Sequence, residues 1–263
     1  MTAEADIKDG TVGKALALLD IVESFQAPVR FNDILKQSPF PKPSTYRLLQ
    51  TLVSQEMLSH NEDSGHYTIG SRLIRLAHSA WKNASLAPIA APFLDALSNT
   101  TGETIHLAKL DNAQTLYLDK RNARKPIEMF SNAGKIGPAY CTGVGKAMLA
   151  NLGQAARDKH VAQQSFYGYT PNTFTNADDF NIELDAIKHR GVSFDVEEHE
   201  PHIICIAVPV LGPQGELYGA ISITSSTERA SLQDLERYKT DLQNTAQQIG
   251  ASAAAWMLPK LGG

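Results

Sequence analysis

Cysteine is scarce in this chain: Cys141 and Cys205 are the two in 263 residues. Two thiols supply neither a disulfide framework nor a four-ligand zinc site, so both are expected as buried free thiols in a reducing compartment. Long apolar runs are missing as well. No stretch approaches the roughly 18 residues that cross a bilayer, and no membrane partner is expected. The opening MTAEADIKDG is polar and acidic and lacks the apolar centre of a secretion signal. A cytoplasmic protein is the expectation. An excess of basic charge is also lacking: the net charge is −4, which taken alone argues against a nucleic-acid partner.

What is present is ordinary globular material, 43% apolar and 20% charged, in a chain long enough for two domains. The charge is unevenly spread. Residues 1–83 hold nine Lys+Arg and nine Asp+Glu, whereas the remainder holds fifteen and nineteen. Between residues 30 and 50, Arg30, Lys36, Lys42 and Arg47 face Asp33 alone. Such a local basic patch is compatible with DNA contact without proving it.

The N-terminal pattern is more telling. Val12, Ala15, Leu16, Leu19, Val22 and Phe25 repeat with helical spacing until Pro28. A short helix follows over Phe31 to Gln37, with Asn32 as its expected cap. A third opens near Lys42-Pro43, where proline suits a first turn. In that third helix Leu48, Leu49, Leu52 and Val53 share one side, and Ser44, Arg47, Gln50 and Thr51 lie opposite. Strand-like MLSH and HYTI flank the polar turn NEDSG. Three helices and a hairpin predict a winged helix-turn-helix over residues 8–70. Ser44, Thr45, Tyr46 and Arg47, at the start of the third helix, are candidates for phosphates and base edges. Lys42, Pro43, Gln50 and Thr51 complete the candidate DNA-binding set. Any one such helix reads more simply as a solvated amphipathic surface; the complete arrangement favours DNA.

Residues 71–84 predict a connecting helix, with Leu73, Leu76, Ala77 and Ala80 on one side. Residues 85–259 then mix both periodicities. Helices are expected at 86–98, 142–151, 178–190 (capped by Asn176, ended by Gly191) and 231–257. Strands are expected at 104–109, 115–120, 126–130, 192–196, 203–210 and 216–224. The fold class is α+β: a winged helix-turn-helix, a linker helix and a mixed C-terminal domain.

In this second part GPAYCTGVGKAMLA invites a phosphate-loop reading, but Tyr140 stands where the first glycine belongs and Ala147 replaces the hydroxyl residue. That reading fails. A small-residue turn entering a helix remains, with Thr142 as the expected cap. Such a helix N-terminus favours an anion, and a carboxylate fits. His199, His202 and Cys205 have a spacing that suits a metal, yet the run crosses from a loop into a strand, where no common face unites them. Neither a metal nor another cofactor is expected. Nothing pairs Cys141 or Cys205 with a histidine base, so no enzyme is expected. Asp195 stands at a strand end, a usual place for a polar ligand contact.

Taken together, ALALLDIVESF, PKPSTYRLLQTL, GHYTIGSRLIRLA, ETIHLAKL, CTGVGKAMLA and RGVSFDVEEHEPHIICIAVPVLGPQGELYGAISIT resemble the IclR family of bacterial transcriptional regulators, from about Val12 to about Met257. Pro43 departs from the serine many members carry there and removes one possible phosphate contact. The resemblance implies a GAF-like effector domain and homodimers or homotetramers on double-stranded operator DNA. It also implies a small organic acid bound at Gly143 and Val144 and touched by Asp195, Cys205, Ser222 and Thr224. Cys141 and Thr142 flank this position, and Met129 is expected as an apolar wall on the preceding strand. ETIHL and CTGVGKAML are most similar to the branch regulating sugar-acid breakdown, including 2-keto-3-deoxygluconate regulators. Repression is the expected mode. The rival readings are a small-molecule hydrolase or metalloenzyme with an appended winged helix, and a protein-docking module.

Overall fold

The computed structural model describes residues 10–84 and 86–257. The expected domain limits at residues 8 and 259 fall outside them. The chain divides into two compact units, 1–84 and 85–263.

In the first unit, α1 (Gly10–Ser24), α2 (Phe31–Gln37) and α3 (Lys42–Ser54) pack Leu18, Leu19, Val22, Ile34, Leu48, Leu49 and Leu52 into one core with Leu58 and Tyr67. The hairpin strands β2 (Leu58–Asn61) and β3 (His66–Ile69) are antiparallel, and a short β1 (Val29–Arg30) pairs with β3. This third strand was not expected. Helix α2 spans Phe31 to Gln37 as expected, but Asn32 does not cap it: the cap position is the extended Arg30, whose side chain makes no cap bond. At the end of the wing, a Cβ on Gly70 would stand 2.1 Å from the Glu56 carbonyl oxygen, so the chain passes there only as glycine. Beyond it runs α4 (Ser71–Ala84). Leu73 of its expected stripe turns into the core, whereas Leu76 and Ala77 are exposed and the side chain of Ala80 is outside the described set.

The second unit is a six-stranded antiparallel sheet with helices on both faces. Its strands are β4 (Thr104–Asp111), β5 (Gln114–Arg121), β6 (Ile136–Pro138), β7 (Ser193–Val196), β8 (Ile203–Leu211) and β9 (Leu217–Ser226), in the order β6-β5-β4-β9-β8-β7. Strand alternation sorts the two faces. Ile105, Leu107, Ile204, Ile206, Val208, Val210, Ile221 and Ile223 form a core with α5 (Ala87–Thr101) and α10 (Lys239–Met257). On the other face Ala108, Ala207 and Ala220 are small enough for α6 (Gly143–Ala150) to lie close, with Val144, Ala147 and Met148 against them. Phe180, Leu184 and Ile187 of α8 (Ala177–Arg190) pack outside α6, and α7 (Gln154–Val161) adds Val161 to that layer. As expected, Asn176 caps α8 and the left-handed Gly191 ends it.

Two expected elements differ. Residues 126–130 form no strand, and at the end of this segment side chains rather than a ladder meet the backbone. The Phe130 N–H donates to Glu200, and the Lys120 ammonium donates to the Ser131 carbonyl at 2.7 Å. The strand beside β5 is β6 instead. The long final helix is divided: a Ser231/Asp234 capping box starts α9 (Leu232–Glu236), and α10 begins afresh at Lys239.

Candidate functional site

Two sets of residues stand out, one in each unit. In the first, the start of α3 is built around Thr45. Its hydroxyl donates to the Phe40 carbonyl at 3.1 Å and lies 2.9 Å from the Ser38 hydroxyl, which accepts from the Phe40 N–H. Thr45 is fully buried. It is therefore corrected from a candidate DNA contact to the residue that pins the turn between α2 and α3. Lys42, Pro43, Tyr46, Arg47, Gln50 and Thr51 are exposed and Ser44 is half-buried. Tyr46 packs edge-on against Phe31, and the Gln50 amide reaches the Tyr67 hydroxyl. Arg47 is thus an exposed cation on the polar edge of the helix, with Lys42 exposed at its start.

In the second unit the sheet face that carries the small alanines becomes polar further along the strands. Cross-strand register aligns Asp195, Cys205 and Thr224 in one row, and Ala207, Ser222 and His106 in the next. Both rows meet the N-terminus of α6 in a small cavity. Asp195, Cys205 and Thr224 line it with Met129, Thr142, Gly143 and Val144, so seven of the residues anticipated from sequence come together. Ser222 lies just behind, within 3.3 Å of the Thr224 hydroxyl. Cys141 is instead buried against Tyr140, Leu149 and Phe180 on the far side of α6. Met129 sits on an irregular segment rather than a strand.

Close packing forces glycine at the helix entrance. A Cβ on Gly143 would stand 2.4 Å from Cys205 Sγ, and one on Gly145 would stand 2.3 Å from the Ala139 carbonyl oxygen. Thr142 occupies the cap position but does not cap. Its hydroxyl donates to the Pro138 carbonyl at 2.9 Å. The positive end of α6 is thus left to something other than the Thr142 side chain.

The electrostatics are unusual for so small a site. Lys146 of α6 is sealed against Glu198, and a second buried carboxylate, Asp195, accepts from the Glu198 N–H at 3.0 Å. Burial, reinforced by the charge of Glu198, pushes Asp195 up to about 7. Burial likewise pushes both cysteine thiols well above their ordinary range. Burial thus disfavours the thiolate that nucleophilic catalysis would use. His202 is exposed while Cys205 is buried, and His199 stacks edge-on with Phe130 and Tyr169. Among the described residues no three His, Cys, Asp or Glu side chains are grouped to hold a metal.

Sequence reasoning missed His106, Tyr117, Ser131, His199, Glu200 and Ile203, which complete the lining. His106 had a visible signal. Thr104 and His106, like Ser222 and Thr224, are polar residues at alternate positions within apolar stretches of their strands, and so share one face. Ser131 and Glu200 had none, since they arrive from irregular segments.

Comparison with known proteins bears on both units. Residues 11–62 match the IclR helix-turn-helix domain, and residues 78–251 match the C-terminal domain of the bacterial transcriptional regulator IclR. The HTH-type transcriptional regulator KdgR of Escherichia coli is 28% identical, over 95% of this chain and 95% of its own. The crystal structure of Thermotoga maritima IclR superposes with a TM-score of 0.76 at 27% identity, covering 91% of this chain and 97% of that one. An IclR homologue from Microbacterium hydrocarbonoxydans, solved as a complex with 4-hydroxybenzoate, shares the fold at a TM-score of 0.80 and 20% identity, over 94% of this chain and 100% of its own.

Proposed function

Because the chain belongs to the IclR family of transcriptional regulators, a DNA-binding regulator and not an enzyme, we propose that it is a one-component switch thrown by a small organic acid. The observation that carries this reading is the meeting, in one cavity, of the α6 N-terminus with the polar rows of the sheet. Backbone N–H groups at Gly143 and Val144 take the carboxylate. Asp195, Cys205, Ser222 and Thr224 hold the remaining polar atoms, Met129 is the apolar wall, and Cys141 and Thr142 keep the helix entrance in shape. The complex of a family homologue with 4-hydroxybenzoate, itself an acid, supports the ligand class. Similarity to KdgR supports, more loosely, the sugar-acid branch.

On the DNA side, Lys42, Pro43, Ser44, Tyr46, Arg47, Gln50 and Thr51 enter the major groove of double-stranded operator DNA. The working domains are the winged helix at 8–70, the linker helix at 71–84 and the effector domain at 85–259. They function as a homodimer or homotetramer in the cytoplasm, and repression is the mode that names of family members support. The acid acts only through a difference in affinity between two arrangements of the protein, so tight binding alone would change nothing. Thermal-shift screening with small hydroxy- and keto-acids tests the effector half. At least one acid should raise the Tm, and no response to any acid would remove it.

A further inference from the structure

His106 is buried in the interior of the sheet and touches three hydroxyl groups from two directions. Its Nε2 lies 2.8 Å from the Ser131 hydroxyl. Its Nδ1 lies 3.2 Å from both the Ser222 and Thr224 hydroxyls, which are 3.3 Å from each other. Burial, with the nearby Lys120 charge, pushes the imidazole down to about 3, so it is neutral at any physiological pH. Tyr117 packs against it at a centroid distance of 5.4 Å.

A neutral imidazole has one N–H and one lone pair, and each hydroxyl has one proton. In one tautomer Nε2–H donates to Ser131 while Nδ1 accepts from Ser222 or Thr224, and the third hydroxyl donates to its neighbour. The Ser131 proton is then left over. In the other tautomer Ser131 donates to Nε2, and the surplus proton belongs to the Ser222–Thr224 pair. Either way one hydroxyl proton remains to be used, and the tautomer decides which. Ser131 and Thr224 both line the cavity. The cluster is uncharged, so it offers a carboxylate less than the helix terminus does.

Resting on the acid-sensing reading above, we propose that His106 is the positioning residue for oxygen recognition. Through Ser131 and Thr224 it selects acids bearing a hydroxyl or carbonyl oxygen away from the carboxylate, which itself lies at α6. In either tautomer the surplus hydroxyl proton can be donated to a hydroxyl or a carbonyl oxygen, whereas an alkyl group in that place leaves a buried polar network unsatisfied. The effector class is thereby narrowed to small hydroxy- and keto-acids, held in one orientation.

The test uses the full chain and matched acids: propionate against lactate and pyruvate, and hexanoate against gluconate, by thermal shift followed by calorimetry. At least one oxygenated acid should bind tenfold or more tighter than its plain partner. His106→Phe should bring that pair within about threefold, and His106→Gln, which keeps a donor and an acceptor, should retain part of the preference. Should His106→Phe fail to fold, Ser131→Ala carries the test, with the same loss of preference expected. Equal binding of oxygenated and plain acids by the unmodified chain overturns the role of His106 while leaving acid sensing intact. Failure of every acid to bind overturns both.

Discussion

The Lys146 ammonium and the Glu198 carboxylate form an ion pair within the effector unit, at 1% and 7% side-chain exposure. Lys146 meets Glu198 Oε1 and also lies over the Phe174 ring, while Oε2 has no hydrogen-bond partner among the described residues. Removing one member strands the other charge. Lys146→Met is expected to cost roughly 3–5 kcal/mol, whereas the double change Lys146→Met/Glu198→Gln recovers most of it. Urea unfolding of the three proteins measures the difference, and an additive double variant would show that the pair does not act as a unit.

Asp195 makes this site sensitive to pH. Its carboxyl titrates near 7 in the folded chain and in the ordinary low range once unfolded. The folded state therefore holds a proton that the unfolded state has released between about pH 4 and 7. Stability from this group falls as pH rises across that window, by on the order of 1–4 kcal/mol in all. Asp195→Asn should flatten the fall. Anionic effectors follow the same sign. Their affinity should drop by up to about tenfold per unit above pH 7 in the unmodified chain, and far less in Asp195→Asn. Calorimetry from pH 6 to 9 decides it, and identical profiles for the two proteins would rule Asp195 out.

Gly143 is held glycine by a single neighbouring atom, Cys205 Sγ, which a new Cβ would meet at 2.4 Å. Gly143→Ala should cost about 1–3 kcal/mol through overpacking and lower acid affinity by tenfold or more. Adding Cys205→Ala removes the sulfur and should restore much of the stability. A Gly143→Ala chain as stable as its parent would mean that α6 sits less tightly on β8.

Thr45 and Arg47 are two residues apart and should fail differently. Arg47→Ala leaves the fold alone and weakens operator binding by about tenfold or more. Thr45→Val removes the bonds to Phe40 and Ser38 and costs roughly 1–3 kcal/mol, weakening DNA binding only as the turn loosens. Thermal unfolding beside DNA titration separates the two. Loss of stability in Arg47→Ala, or its absence in Thr45→Val, would reverse these assignments.

Regular periodicity made most of the fold legible. The leucines at positions 48, 49 and 52 marked the buried side of α3, and alternation marked β4, β8 and β9. Thr45 was misjudged because a threonine in a first helical turn looks alike whether it faces solvent or ties down the preceding turn. Only the path of Ser38 to Phe40 decides. The segment at 126–130 was misread as a strand because Glu200, 70 residues away in sequence, supplies the acceptor its backbone uses. At the cavity, the strand residues and the helix entrance could be read from local pattern. Ser131, His199 and Glu200 come from irregular chain whose course is set by tertiary contacts.

The cavity measures ≈30 Å3, space for a water or two but not for a hydroxy-acid. Binding therefore has to displace its walls, and Met129 and the turn at 197–202 are parts of the lining that neither a strand ladder nor His106 holds. Hydrogen exchange with and without the acid that gives the greatest thermal shift should show changed protection there. Unchanged exchange across both segments would place the ligand elsewhere.

Coupling between acid and DNA is the most direct measurement. A duplex enriched by the full chain from a random pool is titrated with and without that same acid. The dissociation constant should change at least tenfold, in the unmodified protein but not in Gly143→Ala. An unaltered constant at saturating acid would contradict the proposed switch.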